Sequence, residues 1–178
     1  MTITYDDVVK ARQTQNKVIR KTNLEFSETF SKICGANVYL KNEYEQKTGS
    51  FKIRGAYYKI KSLTDEEKSK GVVAASAGNH SQGVAFASHI ENIPCTIVMP
   101  KTASPAKVSA TRGYGAKVVL EGTTYDESWA YAQKISAETN ATIIHAFDDL
   151  HVIAGQGVIG LEIMEQLPEV DEIYVPIG

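Results

Sequence analysis

The sequence predicts an α/β protein with open, parallel, twisted sheets and helices on both faces. Three observations carry the prediction. From residue 72 onward, short apolar runs alternate with segments of helical period. Glycine, proline and small hydroxyl residues stand at the junctions between them. The chain has 178 residues, 43% hydrophobic and 22% charged, enough to bury one good core or two small ones. In order, VVAAS (72–76) reads as a strand and 79–92 as a helix with Val84, Ala87 and His89–Ile90 toward one side. CTIVMP (95–100) is a strand bounded by Pro94 and Pro100. A helix over 104–115 opens with serine before proline and closes on glycines. AKVVLEG (116–122) is a strand, and 124–140 is a helix burying Trp129 and Ile135. TIIHAF (142–147), VIAGQGVIGLEIMEQL (152–167) and EIYVPIG (172–178) complete the series as strand, helix and strand. Before residue 72, helices over 6–15 and 52–62 flank a strand at ANVYLKNE (36–43).

Composition excludes several classes of function. A net charge of −2 with no long basic run argues against nucleic acid as a partner. The longest apolar runs are far too short to span a bilayer, and the N-terminus lacks the pattern of a signal peptide. Cys34 and Cys95 are far apart without a CxxC partner, as expected of free thiols in a cytoplasmic protein. His80, His89, His145 and His151 have no metal-ligand spacing, so no metal is expected.

Two stretches carry chemistry. In KTGSFKIRGA (47–56), Thr48-Gly49-Ser50 reads as a turn or helix cap, followed by an apolar helix face of Phe51, Ile53, Ala56 and Tyr57. Lys52 lies among them. Alone, the stretch suits a surface helix whose lysine snorkels to water, or a desolvated, reactive amine. In SAGNHSQG (76–83), small residues lie between a strand end and a helix start, where free N–H groups attract an anion. A plain βα turn with Asn79 as cap fits the same residues.

Taken together, SFKIRGA and SAGNH resemble the pyridoxal-phosphate enzymes of the threonine dehydratase and serine racemase family, fold type II. KTNLEFSETF, TIVMPKTASPAKVSATRGYGAKVVL and HAFDDLHVIAGQGVIGLEIMEQL follow in family order, so the resemblance covers nearly the whole chain. It looks most like the short catabolic threonine dehydratases. The resemblance implies a large domain begun by 1–53, a small α/β domain over 54–148, and a return segment over 149–178. Lys52 would be the Schiff-base lysine, its pKa lowered from about 10.4 toward roughly 7–8 by an apolar pocket. Asn79 and Phe51 would contact the cofactor. Ser76, Ala77, Gly78, Asn79 and His80 would grip the substrate carboxylate. Gly178 would open the glycine run that holds the cofactor phosphate, and the rest of that run and half of the large domain are expected to be missing. On that basis the isolated chain is expected to be inactive.

The implied reaction converts L-threonine, or L-serine, to a 2-oxo acid and ammonia. Racemase relatives carry serine where this chain has Ala77, and a methyl group moves no proton, which disfavours racemisation. A non-catalytic relic or interaction subunit is the other alternative. The resemblance further implies a homo-oligomer, dimer or tetramer, with an adenine nucleotide such as AMP at a subunit interface. The matching positions are Lys47, Thr48, Gln82, Tyr114 and Ser27, all residue types equally at home in ordinary turns and interfaces. GQGVIG (155–160) spells a dinucleotide fingerprint, but no buried strand precedes it. TGSFK lacks the second glycine and Ser/Thr of a P-loop. Asp148-Asp149 reads as a helix cap. Asn23 replaces the proline usual in relatives.

Overall fold

The computed structural model describes residues 2–176. Its centre is a four-stranded parallel sheet of β3 (Val72–Ala75), β4 (Cys95–Met99), β5 (Lys117–Leu120) and β6 (Thr142–Ile143), in the order β5-β4-β3-β6. Three helices connect these strands: α5 (Asn79–Ile90), α6 (Pro105–Gly113) and α7 (Tyr125–Thr139). Side chains alternate along a strand, and the core divides accordingly. Val72, Ala74, Ile97 and Met99 face one side with Val84, Ala87 and Val108. Val73, Ala75 and Val98 face the other, with Ala132 and the half-buried Trp129 and Ile135 of α7.

The remaining elements precede or follow the sheet. They are α1 (Tyr5–Gln15), β1 (Leu24–Phe26), α2 (Glu28–Cys34), β2 (Tyr39–Lys41), α3 (Lys52–Lys61), α4 (Asp65–Lys70) and α8 (Leu150–Gln166). Local chemistry starts the helices where it can. Thr4 with Asp7, Thr64 with Glu67 and Thr124 with Glu127 form capping boxes at α1, α4 and α7. Asp149 accepts the free N–H groups of His151 at 2.8 Å and Val152 at 3.0 Å, capping α8 as its sequence suggests.

The structure corrects several expectations. The strand expected over 36–43 contracts to Tyr39–Lys41, antiparallel to Leu24–Phe26, with α2 in between. Neither β1 nor α2 was anticipated, because three- and seven-residue elements hold no periodic signal. TIIHAF is a strand only to Ile143; beyond it, His145 Nδ1 accepts the N–H of Phe147 and Asp148 and curls the segment into a turn. The expected strand over 172–178 does not form at 172–176, where Ile173, Tyr174 and Val175 are exposed and no described strand lies alongside. Ile177 and Gly178 lie outside the described residues. His89, expected on one side of the helix with Val84 and Ala87, is exposed while they are buried, and Pro105 begins α6 without a side-chain cap from Ser104.

Helices α1, α3 and α8 meet at very close range. A Cβ on Gly155 would lie 2.7 Å from Gly55 Cα, and one on Gly157 would lie 3.1 Å from Val8. GQGVIG is therefore a packing motif inside α8. Beside this crossing, Arg54 is fully buried. Its guanidinium donates to both oxygens of Glu43 at 2.8 and 2.7 Å and to both oxygens of Glu162 at 2.7 and 2.9 Å. Lys41 completes the cluster, reaching Glu162 at 2.7 Å, so two cations balance two carboxylates.

Replacing Arg54 with methionine takes the cation from Glu43, leaves Glu162 with Lys41 alone, and is expected to cost about 3 to 5 kcal/mol in urea unfolding at pH 7. Burial pushes Glu162 up, but its bonds to Arg54 and Lys41 outweigh this and hold the carboxyl below its ordinary range. The contribution is thus complete above the ordinary carboxylate range and lost as pH falls through the depressed value, so the cost of Arg54→Met should shrink in acid.

Candidate active site

The chain runs outward from β3 through β4 to β5, then returns so that β6 lies on the other side of β3. In open α/β sheets ligands bind where strand order reverses, at the carboxyl ends of the strands. Here that place is the loop after β3, residues 76–78, beside the segment leaving β6. The two stretches singled out in the sequence meet there.

Lys52 is the first residue of α3 and is half-buried. Its Nζ donates to the carbonyl oxygen of Ala146, just past β6, at 2.9 Å, and lies 5.2 Å from the centre of the Phe51 ring. Among the described residues no carboxylate pairs with it. Burial therefore holds the amine below the ordinary lysine range, since the charged form loses water and gains no counter-ion. Its place at a helix N-terminus, the positive end of the peptide dipoles, also disfavours a cation. The side chain is thus partly desolvated, not extended into water. Two details differ. Phe51 is more than a third exposed, outside the buried face of Ile53, Ala56, Tyr57 and Ile60. Thr48 and Ser50 cap nothing: Phe51 takes the cap position, and both hydroxyls are buried without a hydrogen-bond partner. The turn itself is present, with Gly49 at φ +71°.

After β3 the backbone turns through Ser76, Ala77 and Gly78 into α5. Ser76 Oγ accepts the Gly78 N–H at 3.2 Å, and Ser81 Oγ donates back to the Gly78 carbonyl at 2.6 Å. No side chain caps α5, so N–H groups of its first turn remain available to a ligand. Asn79 is exposed, and its Oδ1 accepts from Lys107 Nζ at 3.2 Å. An ammonium only donates, so the amide oxygen faces Lys107.

His80 is buried, with Nε2 2.9 Å from the Ile144 carbonyl. A carbonyl accepts only, so Nε2 carries the proton; Nδ1 has no partner. Burial, with smaller contributions from nearby Lys52 and His145, lowers its pKa to about 4. Sequence reasoning missed the Ala146 and Ile144 carbonyls, which hold Lys52 and His80 to one segment. A backbone acceptor leaves no mark on residue type.

The positions matched to a nucleotide fall partly together. Lys47 Nζ lies 5.8 Å from the centre of the Phe86 ring, which packs edge-on against Tyr114 at 5.4 Å. Thr48 adjoins Lys47, and Gln82 lies one turn before Phe86 on α5; both are buried. Ser27 is otherwise engaged, accepting the Phe30 N–H at 3.3 Å as the cap of α2. Phe86 was missed, although its place four residues after Gln82 is a signal the sequence holds. Among the described residues no acidic, histidine or cysteine cluster could hold a metal ion, and no helix is long and apolar enough to cross a membrane.

Because His80 stays neutral when folded, the unfolded chain takes up a proton as pH falls from about 6.5 while the native state does not. Stability should fall by roughly 3 kcal/mol down to about pH 4 from this group. Urea titrations of His80→Gln should lose that part of the pH slope.

Known proteins match this chain in sequence and in fold. The chain is 53% identical over 176 residues to an L-threonine ammonia-lyase of Thermotoga maritima, covering 99% of this chain and 44% of that protein. Maize serine racemase superposes with a TM-score of 0.93 at 34% identity, over 96% of this chain and 52% of the other. The processed form of threonine deaminase isoform 2 from Solanum lycopersicum gives 0.86 at 41% identity, over 94% of this chain and 47% of the other. The chain thus spans about half the length of the relatives it matches. The family model for pyridoxal-phosphate dependent enzymes matches residues 16–178. With its parallel sheet, the half-buried amine beside it and a match over nearly its whole length, the chain belongs to the pyridoxal-phosphate dependent enzymes, with the α/β architecture of fold type II.

Proposed function

We propose that this chain supplies the lysine-bearing part of a pyridoxal-phosphate dependent threonine dehydratase. The observation that carries the reading is the half-buried Lys52 amine, held below its ordinary pKa with the neutral Ala146 carbonyl as its hydrogen-bond partner among the described residues. It stands beside the uncapped first turn of α5. These residues fit the cofactor: an aldehyde reacts with a neutral amine, and free helix N–H groups suit anionic groups. Lys52 would hold the group covalently through Nζ, with Phe51 and Asn79 as further contacts. Gly178, assigned to the phosphate loop, lies outside the described residues. Once bound, pyridoxal phosphate supplies an electron sink that makes the proton on the α-carbon of an amino acid acidic.

The chain's own residues supply the rest. Freed when the substrate's amino group displaces it, Lys52 Nζ, its neutral form favoured by burial, would take the α-proton. The backbone of Ser76 to His80 binds the substrate carboxylate, in a loop made rigid by the Ser76, Gly78 and Ser81 bonds. Ala77 offers no group to return a proton from the opposite face, which favours loss of the β-hydroxyl over racemisation. The substrates proposed are L-threonine and L-serine, giving a 2-oxo acid and ammonia. The names of the relatives support this reading, and serine racemase is the alternative that Ala77 opposes. Residues 1–53 and 149–178 are proposed to belong to a large domain, with 54–148 as a small domain. A cytoplasmic homo-oligomer is part of the same proposal. Lys47, Thr48, Gln82 and Tyr114 are proposed to bind an adenine nucleotide, supported by the cation–aromatic contact of Lys47 with Phe86 and the edge-on packing of Phe86 on Tyr114. Ser27 has less support, since its hydroxyl already caps α2.

Borohydride reduction of the protein loaded with pyridoxal phosphate, followed by peptide mass spectrometry, should place the label on Lys52. In a full-length dehydratase carrying this segment, Lys52→Ala should lower 2-oxobutanoate release from threonine by roughly 10³-fold or more. Label on another lysine would overturn the assignment. Chiral analysis after incubation with L-serine should find no D-serine, and Ala77→Ser should introduce it.

A further inference from the structure

We propose that Gly83 is a positioning residue for Lys52: without a Cβ, it lets α5 close onto the backbone of α3 and so fixes the amine relative to the 76–80 loop. This rests on the reading of Lys52 as the cofactor-linking amine. Gly83 lies inside α5, with an ordinary helical backbone and no positive φ that would favour glycine. Glycine is among the poorest residues for such a position. What it meets explains its presence. A Cβ there would lie 3.1 Å from Ile53 N, 3.1 Å from the carbonyl carbon of Lys52 and 3.2 Å from Ile53 Cα. All three are backbone atoms, so no side chain can rotate aside.

Helix α3 has nowhere to retreat. Behind it, a Cβ on Gly55 would lie 2.7 Å from the Val152 carbonyl oxygen of α8, and Arg54 is bound to Glu43 and Glu162. An added methyl at position 83 must therefore be absorbed by moving α5 away from α3. That movement acts directly on the site. Lys52 is tied to Ala146 and His80 of α5 to Ile144, so α3 and α5 grip one short segment from two sides. Gly83 sets the width between those grips. A displacement of a few tenths of an ångström changes how far the amine is buried and where it stands against Asn79, four residues earlier on α5.

The experiment compares Gly83→Ala, the control Gly113→Ala and Lys52→Arg in the full chain. Gly113 ends α6 with nothing within 4 Å of where an added methyl would stand, so its alanine adds helix propensity alone. Three quantities are read: the melting temperature, the dissociation constant for pyridoxal 5′-phosphate from its absorbance band, and the Lys52 amine pKa without cofactor. The pKa is followed by NMR of ¹³C-methylated lysines and assigned with Lys52→Arg. Gly83→Ala should stay folded, bind the cofactor about tenfold more weakly, and show an amine pKa moved up toward the ordinary lysine range as water enters. Gly113→Ala should match the unmodified protein in affinity and pKa. If Gly83→Ala is too unstable to purify, the same readings are made on Gly83→Ala combined with Gly113→Ala. Unchanged affinity and amine pKa in Gly83→Ala would overturn the role of Gly83 while leaving the proposed function intact. An unchanged cofactor band in Lys52→Arg would overturn the proposed function itself.

Discussion

A fully buried guanidinium is the constraint on which the rest of the structure depends. Arg54 has no contact with water, and an unpaired charge in that position would be prohibitive. Two carboxylates from distant parts of the chain meet it in fork geometry: Glu43 from the segment after β2, and Glu162 from α8. Lys41 then neutralises the second negative charge. The cluster is complete only when the N-terminal segment, α3 and α8 are all in place. It lies two residues from Lys52, so the requirement to pair one buried charge also fixes the helix turn that carries Lys52.

Arg54 and Lys52 are treated in opposite ways. Arg54 receives four charge-assisted bonds and stays ionised. Lys52, on the same helix turn, receives one carbonyl and the positive end of the helix, and its charged form is disfavoured. Desolvation is felt by both, and the partner set decides the outcome. An arginine could not take the second position, because its pKa lies too high for burial to neutralise it. A lysine could not fill the first, because it lacks the planar fork that binds two carboxylates side by side.

Glycines make the close approach of these helices possible, each for a different neighbour. Gly55 and Gly155 let α3 and α8 touch backbone to backbone, and Gly157 admits Val8 of α1. The apparent dinucleotide fingerprint in α8 thereby receives a mechanical explanation, and its lack of a preceding buried strand follows naturally. Gly83 serves the opposite side of α3. The amine-bearing helix is held between two glycine contacts, one toward α8 and one toward α5.

Much of this was legible in the sequence. Apolar alternation determined the parallel strands from residue 72 to 143 and the helices between them, because burial of both sheet faces imposes that pattern. KTGSFKIRGA and SAGNHSQG marked the two stretches that the fold brings together, while the chemistry proposed for them came from their resemblance to a family. Tertiary structure alone decided which carbonyl holds the amine, that the Thr48 and Ser50 hydroxyls cap nothing, and that Phe51 faces outward. It alone decided where β1 and β2 pair, and that residues 172–176 form no ladder here. The division has one physical cause. Periodicity and side-chain chemistry are written residue by residue, whereas a strand, a buried acceptor or a close glycine contact exists only by virtue of what another part of the chain places opposite it.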